Sequence, residues 1–200
     1  MSRMAWPISR SKAPTSAATE FDGLIREHVP ALYRSAFRWT GSQDRAEDLV
    51  QDLLVRLYPM HEELRHLDRL RPWAMRVMYR IFIDQLRRER NSPLEFAADV
   101  GECDVAGEDD GGCTDPAAGP PELLERQLTQ ERIVAAWTLL ADEHRVVLSM
   151  HDIEGYSLVE LAAMMEVPLG TLKSRLHRAR AKMRQLLATE RLASSDRVRD

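Results

Sequence analysis

Apolar residues recur at helical spacing along this 200-residue chain, and strand-like alternation of apolar and polar positions persists nowhere. Ala46, Leu49, Val50, Leu53, Leu54 and Leu57 fall at i, i+3, i+4, i+7, i+8 and i+11, the stripe of a helix packed on a core. Asp48, Gln51, Asp52 and Arg56 then point outward. A second helix gathers Ala74, Val77, Met78, Ile81 and Phe82 on one face and leaves Arg76, Arg80, Arg87 and Arg88 among its exposed positions. An earlier helix is predicted from about Leu32 to Trp39, ended by Thr40-Gly41, where glycine can take the left-handed cap conformation. Three such helices packed together would make a first domain.

The second half is predicted to hold four helices. One carries Ile133, Ala136, Trp137 and Leu140, and another runs from about Asp142 to Asp152 and stops at Glu154-Gly155. Ser157 opens the third. With Glu160 three residues on, it has the spacing of a capping box, in which hydroxyl and carboxylate each satisfy a backbone N–H left over at the helix start. Leu158, Leu161, Ala162 and Met165 form its buried side. A turn of Glu166-Val167-Pro168 follows, and Pro168 suits the first turn of the next helix because its missing N–H is not needed there. That last helix turns Leu172, Leu176, Ala179 and Met183 inward and Lys173, Ser174, His177 and Arg178 outward, with Thr171 and Arg175 on the flank.

The pattern predicts an all-α protein of two small helical domains joined by an acidic flexible linker. The expected boundaries are a disordered tail over residues 1–20, a first domain over 21–91, the linker over 92–122, a second domain over 123–190 and a tail over 191–200. Asp, Glu, Gly, Pro and Ala dominate the linker, which holds too little apolar surface to offset the entropy of ordering it.

Charge sharpens this division. The formal net charge is −4, but Leu94 to Glu125 holds ten acidic residues and no Lys or Arg, so the remainder of the chain carries +6. Basic residues cluster at Arg65 to Arg90 and Lys173 to Arg184, a distribution expected of nucleic-acid contact. The acidic run is open to two readings, solubility or competition with DNA for the basic faces. No stretch approaches the roughly 18 apolar residues of a membrane span, and Met1 to Glu20 lacks the apolar run of a secretion signal, so no membrane insertion and a cytoplasmic location are expected. Cys103 and Cys113 fall in the Gly- and Asp-rich stretch and make neither a disulfide framework nor a four-ligand zinc pattern.

Two short helices joined by a tight turn, the second basic on its exposed face, are the pattern of a helix-turn-helix that places its second helix in the major groove. From Thr171 to Arg184 there are six Lys or Arg and no acid. Side chains at i, i+1, i+4 and i+5 can reach base edges together while flanking cations neutralise phosphates. An enzyme is not expected. His61-Glu62-Glu63-Leu64-Arg65-His66 places its second His at i+5, where a zinc-protease helix needs i+4, and no phosphate loop, nucleophile elbow or cysteine nucleophile is visible. No metal and no cofactor are implied.

The motifs resemble those of the extracytoplasmic-function sigma factors, whose regions 2 and 4 are joined by a linker. Asp44-Arg45-Ala46-Glu47-Asp48-Leu49-Val50-Gln51-Asp52 is similar to the family's Ala-Glu-Asp-Leu-Val-Gln motif, and Trp73, Asp84 and Leu86-Arg87-Arg88 match its later region 2 pattern. Gly155 to Ala162 and Gly170 to Arg180 resemble region 4. The resemblance implies that Asp48, Gln51 and Asp52 hold the β′ clamp of core RNA polymerase, and that Arg71, Trp73, Arg76, Arg80, Arg87 and Arg88 contact the minus-ten element. It further implies that Thr171, Lys173, Ser174, Arg175, His177 and Arg178 contact the minus-thirty-five element while region 4 also meets the β flap. Promoter DNA and core polymerase are the implied partners, with an anti-sigma factor as a family-level expectation. Arg80 stands where the family usually has Asn, and Ala141 where it often has Pro. For Trp73, a core anchor and a base-stacking surface are both open. The rival reading is a polymerase-independent helix-turn-helix regulator whose first half senses a ligand or dimerises.

Overall fold

The computed structural model describes residues 16–91 and 120–197, with side chains over 17–91 and 128–189. The expected acidic linker up to residue 119, with both cysteines, lies outside the described residues, as do residues 1–15 and 198–200. All described regular structure is helical. The first unit comprises α1 (Ser16–Ile25), α2 (Val29–Thr40), α3 (Gln43–Leu57), a 3-10 turn (Tyr58–Met60), α4 (His61–Leu64) and α5 (Leu70–Asn91). The second comprises α6 (Pro120–Thr138), α7 (Asp142–Leu148) running into a π-helical turn (Ser149–Ile153), α8 (Leu158–Met165) and α9 (Leu169–Arg197).

The first unit grows around α3. Ala46, Leu49, Val50, Leu53 and Leu57 are buried as the spacing predicts, each large side chain stabilising the fold by roughly 1.5–3 kcal/mol. Trp39 from α2 and Phe82 from α5 close on this stripe, their rings 5.8 Å apart. Gly41 ends α2 with φ 69°, and its N–H donates to the Phe37 carbonyl at 2.8 Å. The unit is larger than three helices: α1 begins at Ser16, inside the stretch expected to be a tail, and docks Phe21 and Ile25 on the core. Phe21 meets Tyr58 edge-on at 5.5 Å, which ties α1 to the far end of α3.

In the second unit, Val146, Val147, Leu148 and Met150 are buried from α7 and the π turn, and Leu172, Leu176 and Ala179 from α9. Ile133 departs from the expected apolar face of α6, with 43% of its surface exposed beside buried Ala136. Pro168 precedes α9 instead of occupying its first turn, and its carbonyl accepts from the N–H groups of Thr171 and Leu172. Helix α6 begins within the expected linker and α9 extends through the expected C-terminal tail to Arg197.

One hydrophobic cluster spans both units, which pack against each other through α2 on α7 and the π turn, and α5 on α8. Trp137 Nε1 donates to the Arg38 carbonyl at 2.8 Å. The buried Arg145 side chain lies over the end of α2, where a Cβ at position 41 would sit 3.0 Å from its Nη1. Gly41 thus serves the helix cap and the junction together.

Candidate nucleic-acid interface

Helix α9 presents the expected surface. Lys173, Ser174, His177 and Arg178 are exposed, and Thr171 and Arg175 are half-buried on the flank. Its position is fixed by α8, whose N-terminus carries the full capping box: the Glu160 N–H donates to Ser157 Oγ at 3.2 Å, and the Ser157 N–H to Glu160 Oε2 at 2.9 Å. The Ser157 backbone N–H first, and then the Ser157 hydroxyl, which donates to Glu160 Oε2 at 2.8 Å, hold the Glu160 carboxyl below the usual carboxylate range. On α9 itself, Arg178 Nε donates to the Ser174 carbonyl at 3.3 Å and Ser174 Oγ to the Thr171 carbonyl at 2.8 Å. Arg175 reaches across to Glu143 of α7 at 3.4 Å, and Arg180 to Asp152 at 3.1 Å, so these two brace the helix on its own domain.

The arginines of the first unit are disposed differently. Arg71 pairs with Glu154, and Arg76 and Arg80 pair with Glu166, the Arg76 contact at 3.2 Å. Arg87 lies 3.7 Å from Asp84, and Arg88 is exposed. Trp73 is half-buried and packs against the core, consistent with an anchoring role while part of it stays accessible. Asp48, Gln51 and Asp52 form a separate exposed face on α3, with Gln85 Nε2 donating to Asp52 Oδ2 at 3.0 Å.

Two carboxylates that the sequence pattern did not single out join the units. Glu154, with a side chain only 6% exposed, accepts from Ser35 Oγ at 2.8 Å and Arg38 Nη1 at 3.0 Å, as well as from Arg71. Glu166 occupies the turn between α8 and α9 at φ 57°, ψ 40°. Arg80 first, then Arg76, holds its carboxyl below the ordinary range. The available signal was local: a left-handed helix end favours Gly or Asn, and a Glu there suggests a side-chain purpose. Beside Glu154, a cleft of about 650 Å³ opens between the loop before α5 and the second unit, lined by Arg65, Arg69, Arg71, Tyr156 and Glu160 among others.

Two histidines are occupied locally. His61 Nδ1 lies 3.1 Å from the Tyr58 carbonyl and His151 Nδ1 2.7 Å from that of Tyr156. Among the described residues, no group of three His, Cys, Asp or Glu is placed to hold a metal ion, and no helix is long and apolar enough to cross a membrane.

Residues 24–92 match the family model of Sigma-70 region 2, and residues 130–183 that of Sigma-70 region 4. Both described units, in this order, define a sigma-70-type transcription factor with a helix-turn-helix for DNA. The chain is 32% identical to the ECF RNA polymerase sigma factor SigL of Mycobacterium tuberculosis, over 84% of this chain and 89% of SigL. It is 30% identical to SigE of Mycolicibacterium smegmatis, over 86% of this chain and 63% of that relative's longer sequence. The chain belongs to the extracytoplasmic-function sigma factors, which initiate transcription with RNA polymerase. A sigma factor RpoE of Bartonella quintana, solved in complex with the anti-sigma factor NepR, shares the fold at TM-score 0.57 and 21% identity, over 85% of this chain and 98% of that one.

Proposed function

We propose that this chain binds core RNA polymerase through the acidic face of α3 and directs it to promoters with two basic surfaces. Asp48, Gln51 and Asp52 take the β′ clamp. The face of α9 built from Thr171, Lys173, Ser174, Arg175, His177 and Arg178 reads the minus-thirty-five element, and the second unit also meets the β flap. Arg71, Trp73, Arg76, Arg80, Arg87 and Arg88 serve the minus-ten element. The observation that carries this reading is the exposed, acid-free face of α9, set on a capped helix-turn-helix in a chain with both sigma domains.

The chemistry is binding and not bond-making. Bidentate or phosphate contacts from Arg178 and Lys173 supply affinity and register on duplex DNA. Strand opening needs a surface that favours unstacked bases over paired ones, and stacking on an aromatic or guanidinium plane is worth roughly 1–3 kcal/mol per base. Trp73 and the Arg65 to Arg71 loop offer such a surface. The two domains of this division are the units built from α1 to α5 and from α6 to α9, and the site of action is the cytoplasm, where core polymerase and DNA meet. An anti-sigma factor is the expected regulatory partner.

Run-off transcription with core RNA polymerase on a pool of promoter fragments tests the reading. Wild-type protein is expected to yield promoter-specific transcripts, Asp48→Ala to lose them through core binding, and Arg178→Ala to lose them through DNA binding. Absence of both a factor-dependent transcript and core binding would overturn it.

A further inference from the structure

A recognition helix reads bases only when it is held at a fixed angle, and burial alone does not set one. Leu172, Leu176 and Ala179 seat α9 on its own unit, but apolar contact is non-directional, and Ala179 offers little side chain to resist a tilt. Direction comes from the α7 side. Arg180 Nε donates to Asp152 Oδ2 at 3.1 Å while its Nη2 donates to Asp152 Oδ1, a two-pronged contact of guanidinium on carboxylate. Arg175 meets Glu143 at 3.4 Å. Glu143 and Asp152 stand near opposite ends of the segment formed by α7 and its π turn, and Arg175 and Arg180 flank buried Leu176 and Ala179. Rotation of α9 about the apolar contact would therefore stretch one pair or both.

We propose that Asp152 and Arg180 are positioning residues that set the angle at which α9 enters the major groove, and so determine how sharply the protein discriminates among minus-thirty-five sequences without touching a base. The proposal rests on the reading of α9 as the surface for duplex DNA. The π turn is what aims Asp152. Its closing bond runs from the Glu154 N–H to the Ser149 carbonyl five residues back, at 2.9 Å, so the turn holds one residue more than an α-helical one. Side chains past that insertion are turned by about 100° from an α-helical course, since each residue of an α-helix advances by that angle. The turn is pinned in place by His151, whose Nδ1 donates to the Tyr156 carbonyl at 2.7 Å in the loop leading into the capped α8.

Arg180 is 48% exposed, so a direct phosphate contact is the competing role. The two roles have different signatures. A phosphate contact adds affinity on every sequence and contributes about one to the salt slope. A positioning contact leaves general affinity and salt slope alone, and removing its acid takes a negative charge from beside α9, which strengthens binding to any duplex. What suffers is discrimination, because base contacts need placement within roughly 0.5 Å and 10–20°. An ion pair this exposed adds little to stability, so its loss leaves the fold intact.

The test uses holoenzyme assembled from full-length protein and core RNA polymerase, with a pool of duplexes randomised across the minus-thirty-five and minus-ten regions as the probe. Discrimination is read as the ratio of affinities for the duplex most enriched by wild-type protein and for the same duplex with its minus-thirty-five region scrambled, and Tm is measured for each variant. Asp152→Asn and Arg180→Lys are expected to lose about tenfold in discrimination at unchanged Tm, Arg180→Lys because it keeps the charge but not the fork. Affinity for the scrambled duplex should hold for Arg180→Lys and rise up to about threefold for Asp152→Asn. Asp152→Glu, which keeps the pair, should retain most of the discrimination. Wild-type discrimination in both Asp152→Asn and Arg180→Lys overturns the proposal, as does a loss in Asp152→Glu equal to that in Asp152→Asn. A uniform loss of affinity with a smaller salt slope in Arg180→Gln, beside an unaffected Asp152→Asn, overturns it by making Arg180 a phosphate contact. Arg178→Ala separates the two levels of failure. If it too leaves discrimination intact, α9 does not read DNA and the underlying reading falls; if it alone lowers discrimination, only the positioning role falls.

Discussion

Helices α5 and α9 each carry a row of basic residues, yet one row is covered and the other open. On α9, Lys173, Ser174, His177 and Arg178 are exposed, and the arginines that do find acids, Arg175 and Arg180, find them within their own unit. On α5, Arg71, Arg76 and Arg80 are held by carboxylates from the other unit. Internal pairs fix α9 on its own unit, whereas the cross-unit pairs tie the charges of α5 to the second unit. Equal basicity in sequence thus corresponds to different pairing in structure.

The largest effect on this contrast is expected from Trp39→Ala. Trp39 of α2 is fully buried against Tyr79 and Phe82, and its truncation should cost about 3–5 kcal/mol, read by denaturant unfolding. Because a single cluster spans both units, the variant should loosen the packing of α5 against α8 as well as the first unit itself. A transition confined to the first unit, with the cross-unit distance unchanged, would break the comparison. Next in size, Arg178→Ala should weaken duplex promoter binding by about 1–3 kcal/mol, roughly fivefold to a hundred-and-fiftyfold, and do so equally in wild-type and Glu166→Gln backgrounds, since Arg178 lies on the open face of α9 and Glu166 pairs with α5. A binding titration in the two backgrounds checks this.

Much of this was readable in advance, for physical reasons. The stripe of α3 and the inward set of α9 follow from a 3.6-residue period that only a one-sided core satisfies, and the capping box follows from a local hydrogen-bond demand. The exposed residues of α9 were assigned correctly to its outer side because the buried ones left no other place for them. Helix α1 escaped because Ser16 to Glu20 is polar and small, and its helicity is supported by tertiary docking of Phe21 and Ile25. The cross-unit ion pairs escaped for a different reason. Glu154 and Glu166 act over 80 or more positions in sequence, and no periodicity connects residues that distant. Charge at Arg71, Arg76 and Arg80 could be read from the chain, but what neutralises it could not.

Smaller effects refine the contrast. Ser157→Ala removes the capping box and should cost about 1 kcal/mol, seen as a lower Tm, with the loss falling on the recognition unit. A drop accompanied by no change in duplex affinity would separate the stability of α8 from the positioning of α9. Smallest is the response to pH. Glu160 and Glu166 both titrate below the ordinary carboxylate range, Glu160 through the Ser157 N–H and hydroxyl and Glu166 through Arg80 and Arg76. A carboxylate lowered in the folded state contributes stability that is fully present above its unfolded pKa and lost as pH falls through its folded one. Packing of the two units should therefore be flat between pH 7 and 6 and loosen only below the usual carboxylate range, as a distance measurement against pH would report.

The most direct test of sigma action is the affinity of full-length protein for duplex promoter DNA, measured with and without core RNA polymerase at two salt concentrations. The account predicts weak, strongly salt-dependent binding by the protein alone, through the open face of α9, and tight promoter-specific binding once core polymerase is present. Tight, promoter-specific binding by the protein alone, unimproved by polymerase, would contradict it and assign the chain to the independent helix-turn-helix regulators.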